Sequence, residues 1–222
     1  MAVRTEKTGI YHIPKCAGIW VKEAVRRSGI YYWRCNNKNH PEKPTHPFGL
    51  LREHSTPENT EPLDDVYTIC FVRHPVDWYK SFWAYRTKEG NLDLKFPPDR
   101  VWSDDFNKFV ENVLDTYGAF VTQLYQYFVG ESCDWVDFIG RQENVRADLI
   151  TALTNAGETF DEDVIMNTPY FNVAGLSKKY GKLVANLSDE NDQRIRETEH
   201  WVIDRFYSTT TQSLPLMSTE RS

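Results

Sequence analysis

The chain has 222 residues, 40% of them hydrophobic and 14% aromatic, which is enough for one well-buried core and favours a single domain over two. A net charge of −6 disfavours a long polyanion, nucleic acid included, as a partner, although a local basic cluster can still take a small anionic ligand. Cys16, Cys35, Cys70 and Cys133 form no CxxC pair, so no metal site is expected, and no run is long and apolar enough for a signal core or membrane anchor, so a soluble, cytoplasmic protein with reduced thiols is expected.

The first element is the stretch from Gly9 to Trp20. It opens as a short apolar strand, breaks at Pro14 and resumes at Ala17 as a helix with Trp20, Val21, Ala24 and Val25 on one face, running to Ser28 and stopping at Gly29. The free amides of a helix start bind anions; Lys15 adds a mobile cation and Gly18 allows close backbone approach. An ordinary strand-turn-helix with one surface lysine is the alternative.

Residues 34–62 have no period and read as a long loop, with one helical turn near Phe48 to Arg52. Val66 to Val72 is a continuous apolar run suited to a central parallel strand. Pro75 then opens a helix carrying Val76, Tyr79, Phe82, Trp83 and Tyr85. Helices are expected over Ser103 to Leu114, with Ser103 as N-cap, and over Gly118 to Val129. A third strand is expected over Trp135 to Ile139, then helices over Gln142 to Asn155 and Asp161 to Met166. A final helix capped by Ser188 reaches Tyr207.

Strands alternating with helices predict an α/β fold of three layers, P-loop-like, with a central parallel sheet flanked by helices. The expected domain is 1–207, with a flexible tail over 208–222. Ligands of such sheets sit at the carboxyl ends of the strands. Lys15, Arg73 and Arg141 each follow a predicted strand, so the three cations should gather at one edge and suit a ligand with more than one phosphate-like group.

In these residues the chain resembles the sulfotransferases that use 3′-phosphoadenosine 5′-phosphosulfate (PAPS), especially the branch of carbohydrate 2-O-sulfotransferases and related bacterial enzymes. His12-Ile13-Pro14-Lys15-Cys16-Ala17-Gly18 is similar to the family's 5′-phosphosulfate loop. Phe71 to Ser81 is similar to its 3′-phosphate block, in which an arginine and a serine eight residues later hold the phosphate. Ile139-Gly140-Arg141-Gln142-Glu143-Asn144 with Asp148-Leu149 resembles a later block, and Glu53-His54-Ser55-Thr56 an element whose histidine is the proposed base.

The resemblance implies transfer of a sulfuryl group from PAPS to a hydroxyl or amine of a carbohydrate or small-metabolite acceptor, without a metal. Lys15 and the backbone of Cys16, Ala17, Gly18, Ile19 and Trp20 would hold the phosphosulfate. Ile19 and Trp20 stand where the family has hydroxyl residues, so the amides of Ala17 to Trp20 must serve there. Arg73 and Ser81 would hold the 3′-phosphate; an Arg73–Asp77 ion pair and a back-bonded helix serine are the alternatives. Arg141 would add a cation, or else pair with Glu143 or Asp148.

His54 would be the general base, a role worth ~10²–10⁴ in rate, with Glu53 behind it, and His12 and His74 would orient loops. Lys178 and Lys179 would close over the 3′-phosphate or form a solvated charge run. Two other readings stay open: a non-catalytic protein that binds the product nucleotide, adenosine 3′,5′-bisphosphate (PAP), and a P-loop kinase, for which GxxxxGK[ST] is absent.

Overall fold

The computed structural model describes residues 2–35, 55–58, 60–89, 101–170 and 185–208. In chain order these form β1 (Val3–Arg4), β2 (Thr8–Ile10), α1 (Gly18–Arg27), β3 (Trp33–Arg34), β4 (Tyr67–Val72) and α2 (Pro75–Glu89). They continue with α3 (Phe106–Tyr117), α4 (Phe120–Val129), β5 (Phe138–Arg141), α5 (Val145–Asn155), α6 (Glu162–Asn167), α7 (Asp189–Thr198) and α8 (His200–Phe206). The sheet has five strands in the order β3-β1-β2-β4-β5, flanked by helices.

Its core is parallel, as the apolar runs predict: β2 pairs with β4 from Thr8↔Tyr67 to Ile10↔Ile69, and β4 pairs with β5 from Ile69↔Phe138 to Val72↔Arg141. Five residues of β4 after Tyr67 are buried, as a strand covered on both faces requires. At the other side the sheet extends beyond the expected central parallel strands. There β1 runs antiparallel to both β2 and β3, so the sheet is mixed.

α1 ends as expected. Ser28 is its C-cap, and Gly29 at φ 95° takes the left-handed turn that lets the Ile30 amide reach the Val25 carbonyl. α2 starts at Pro75 and buries Trp78, Tyr79, Phe82 and Trp83. The Trp78 and Phe82 rings stack at 5.0 Å, and Phe82 stacks in turn on Phe109 of α3 at 6.2 Å. Side chains of this size, fully buried, each contribute about 1.5–3 kcal/mol, so this aromatic column fixes α2 against α3.

Several boundaries differ from expectation. The cap of α3 is Asp105, whose carboxylate accepts from the Lys108 amide at 2.9 Å; Ser103 instead accepts from the Asp105 amide. β5 begins at Phe138, because Asp137 closes the ladder with side chain as well as backbone: its carboxylate accepts from the amide and the hydroxyl of Thr68. Residues 142–144 form a 3₁₀ turn before α5.

The last predicted helix is divided at Glu199 into α7 and α8, with Ser188 capping α7 as expected through the Asn191 amide. Glu199 is buried and turned into the start of α4, where it accepts from the amides of Val121 and Thr122, from the Thr122 hydroxyl and from Tyr79. The helical turn expected near Phe48 to Arg52, and the tail from residue 209, lie outside the described residues. No helix among the described residues is long and apolar enough to cross a membrane.

Candidate anion site at the carboxyl edge of the sheet

Because β2, β4 and β5 are parallel, the segments leaving their carboxyl ends share one edge. Lys15 lies in the loop after β2, Arg73 directly follows β4, and Arg141 is the last residue of β5, in register with Val72. Arg141 therefore sits in the strand and not after it. The contact that closes the arrangement is direct: Nη1 of Arg73 donates to the carbonyl oxygen of Lys15 at 3.4 Å.

The loop between β2 and α1 is held in a conformation that L-residues rarely adopt. Lys15 at φ 66° and Ala17 at φ 63° both lie in the left-handed region, on either side of Cys16. Such residues cost of order 1–3 kcal/mol each and persist where neighbours over-determine them. Here the neighbours are specific. The Trp78 indole donates to the Pro14 carbonyl at 2.9 Å, and the Cys16 amide donates to the Ile13 carbonyl at 3.3 Å.

The Cys16 sulfur lies 3.4 Å from the Tyr125 hydroxyl. Burial pushes the Cys16 thiol up to about 12, so the loop carries no thiolate to repel an anion. Gly18 opens α1 directly beneath His12; a Cβ there would meet the imidazole Cδ2 at 2.0 Å, so the ring and the glycine specify each other.

The start of α1 is open. Its N-cap, Ala17, supplies no side-chain hydrogen bond, and its first turn holds no acidic residue, so no side chain there offsets the positive end of the helix. Arg73 adds charge that is not spent internally. Among the described residues it has no carboxylate partner, and its buried Nε has no hydrogen-bond partner. The Arg73–Asp77 pair weighed from sequence is not made; Asp77 lies 3.9 Å from Lys80 instead.

Ser81 is buried on α2 and its hydroxyl makes no back-bond to the helix. Arg141 is exposed and pairs with neither Glu143 nor Asp148. Its amide donates to Asp148 at 2.6 Å, and burial raises the Asp148 carboxyl. Glu143 accepts from the His74 amide at 2.9 Å and from the Tyr207 hydroxyl at 3.0 Å, tying the Arg73-His74 turn to the end of α8. Burial lowers the pKa of His74, whose ring meets Tyr207 edge-on at 4.9 Å.

Trp20 is turned inward, its indole donating to the Thr168 carbonyl at 3.4 Å, so only its backbone faces the loop; Ile19 is exposed. His54, Glu53, Lys178 and Lys179 lie outside the described residues. Ser55 and Thr56, directly after His54, are buried.

The ligand classes follow from the donor set: a helix start, an ammonium and a guanidinium with unused donors suit phosphate or sulfate groups. Among the described residues no His, Cys, Asp and Glu group could hold a metal. At the opposite edge of the sheet a shallow groove of about 510 Å³ is lined by Glu6, Asp64, Asp65 and Asp137 beside Lys7, a sign of charge that repels the same ligand. Sequence reasoning missed one partner of the site, Tyr125; Tyr85 it placed among the apolar positions of α2, whereas the ring is partly exposed and lies against the Lys15 ammonium. Compared with protein-family models, curated proteins and solved structures, the chain matches none.

Proposed function

We propose that the protein is a sulfotransferase of P-loop-like, three-layer architecture that takes PAPS as donor and a hydroxyl or amine as acceptor, with a carbohydrate or small metabolite as the acceptor class. The observation that carries this reading is the hydrogen bond of 3.4 Å from the Arg73 guanidinium to the Lys15 carbonyl, which brings the segments after β2 and β4 together at the start of α1, where no side chain caps the helix.

PAPS, when bound, supplies the sulfuryl group and a phosphate as leaving group. Lys15 and the amides from Ala17 to Trp20 hold the 5′ end, and the ammonium neutralises charge on the oxygen that departs. The Arg73 Nε, which has no internal partner, and the guanidinium donors left over from the Lys15 contact suit the 3′-phosphate, with the Ser81 hydroxyl as a second donor. Arg141 adds a solvated cation at the rim, and Lys178 and Lys179 complete the nucleotide contacts. His54 accepts the acceptor's proton, as the Glu53-His54-Ser55-Thr56 resemblance implies. The work is positioning and electrostatics, so no metal is invoked.

Titration calorimetry with PAP tests the binding half. Wild type binds, Lys15→Ala and Arg73→Ala lose at least tenfold in affinity, and ATP with magnesium does not compete. Transfer of labelled sulfate from PAPS to a panel of sugar and alcohol acceptors tests the chemistry, with His54→Ala losing turnover but keeping PAP. Binding without transfer to any acceptor supports a non-catalytic nucleotide-binding protein, and the exposed Ile19 in place of a hydroxyl is the feature that fits it. Tight ATP binding with no response to PAP overturns both.

A further inference from the structure

Tyr85 lies on α2 four residues beyond Ser81, so the two share a face of the helix one turn apart. The residue is 39% exposed, unlike the buried aromatics that precede it on α2. The Lys15 Nζ sits over the Tyr85 ring at 3.9 Å from the centroid. The neighbouring basic residue of α2 is engaged elsewhere, the Arg86 guanidinium lying over Trp102 at 5.2 Å. Tyr85 thus presents its π face to the cation of the strained loop.

A lysine side chain has four rotatable bonds and loses much freedom when it is held in one place. The backbone of Lys15 is already fixed by its left-handed φ of 66° and by the Arg73 contact to its carbonyl. The ammonium is not fixed by these, and the negative face of an aromatic ring fixes it without consuming its charge.

We propose that Tyr85 is a positioning residue: its ring aims the Lys15 ammonium at the 5′ group of the nucleotide. This rests on the PAPS reading of the site. The size of such a contact predicts roughly a two- to fivefold effect on binding.

The test compares Tyr85→Phe, Tyr85→Leu and Tyr85→Met with wild type, by calorimetry with two probes, PAP and adenosine 3′-monophosphate. The second probe lacks the group that Lys15 addresses. Tyr85→Leu and Tyr85→Met weaken PAP binding roughly two- to fivefold and leave the monophosphate unchanged, while Tyr85→Phe matches wild type. In ¹³C-lysine spectra, assigned by Lys15→Arg, the Lys15 ε-methylene is shifted upfield by the ring in wild type and Tyr85→Phe. In the Leu and Met variants that shift is gone.

Equal weakening of both probes assigns Tyr85 a purely structural role and overturns the proposal. So does wild-type PAP affinity in the Leu variant, or an upfield shift that survives it. If wild type fails to prefer PAP to the monophosphate, the PAPS reading fails instead. The spectra then still decide whether the ring holds the ammonium.

Discussion

The Tyr125 hydroxyl donates to the carbonyl oxygen of Arg73 at 2.8 Å and accepts from the amide of the same residue at 3.0 Å. One phenol thereby satisfies both backbone groups of the residue at which β4 stops pairing, while its oxygen also touches the Cys16 sulfur. The two loops that carry Lys15 and Arg73 are held to one buried side chain of α4. Burial raises the Tyr125 phenol well above its usual value, so it remains a neutral donor throughout the physiological range.

Tyr125→Phe removes that oxygen and little else. The Arg73 amide and carbonyl lose their partner in a half-buried position, which costs about 1–3 kcal/mol. Urea denaturation should show this loss with an unchanged m-value. If the phenol also sets the loops, PAP affinity falls beyond what lower stability explains at temperatures where the variant is fully folded.

Gly18→Ala is expected to be costly although alanine favours helices. The new methyl would overlap the His12 ring, and overpacking of this kind costs about 1–3 kcal/mol. A double-mutant cycle with His12→Ala checks the cause. In that background Gly18→Ala should be nearly neutral, and a full penalty there would place the strain elsewhere.

Glu199 carries a pH prediction that is independent of the ligand. Burial raises its carboxyl, the strongest influence on it, against four donors from Tyr79, Val121 and Thr122 that favour the ionised form. A carboxyl raised in the folded state binds its proton more tightly there than in the unfolded chain. Its contribution is therefore greatest below the ordinary glutamate range and falls as pH rises through the raised value.

Glu199→Gln replaces an acceptor oxygen by an NH₂ group facing N–H and O–H donors, each donor so orphaned costing about 1–3 kcal/mol. Denaturation of both proteins from pH 4 to 8 should show the wild-type advantage shrinking as pH rises. An advantage that grows with pH would contradict the direction.

Much of the site was legible because its parts depend on local pattern and on one global rule. The β2–α1 and β4–α2 units announce themselves by apolar runs, Pro75 and Gly29. The parallel pairing that follows from them brings Lys15, Arg73 and Arg141 to one edge. β1 and β3 are two residues long, too short for any period, and exist through their partners. The break at Glu199 depends on where the start of α4 lies in space, which no spacing in α7 or α8 encodes. The contacts of Tyr125 and Tyr85 were invisible for the same reason, since a helix face says what is buried but not which loop lies upon it.

Arg73→Lys separates charge from geometry. The substitution keeps a cation after β4 but removes the fork whose Nη1 reaches the Lys15 carbonyl and whose Nε has no internal partner. If PAP is the ligand proposed above, an ammonium cannot span both the loop and its 3′-phosphate, so the loss should fall on the nucleotide's 3′ end. A hydrogen bond to a charged group contributes about 1.5–3 kcal/mol, so PAP affinity should drop roughly tenfold to a hundredfold. Adenosine 5′-monophosphate, lacking the 3′ group, should bind wild type and variant alike in calorimetry. Equal losses for both nucleotides would mean that Arg73 serves the loop's conformation alone. No loss for either would leave only the field of the site, and not the fork, as what the anion feels.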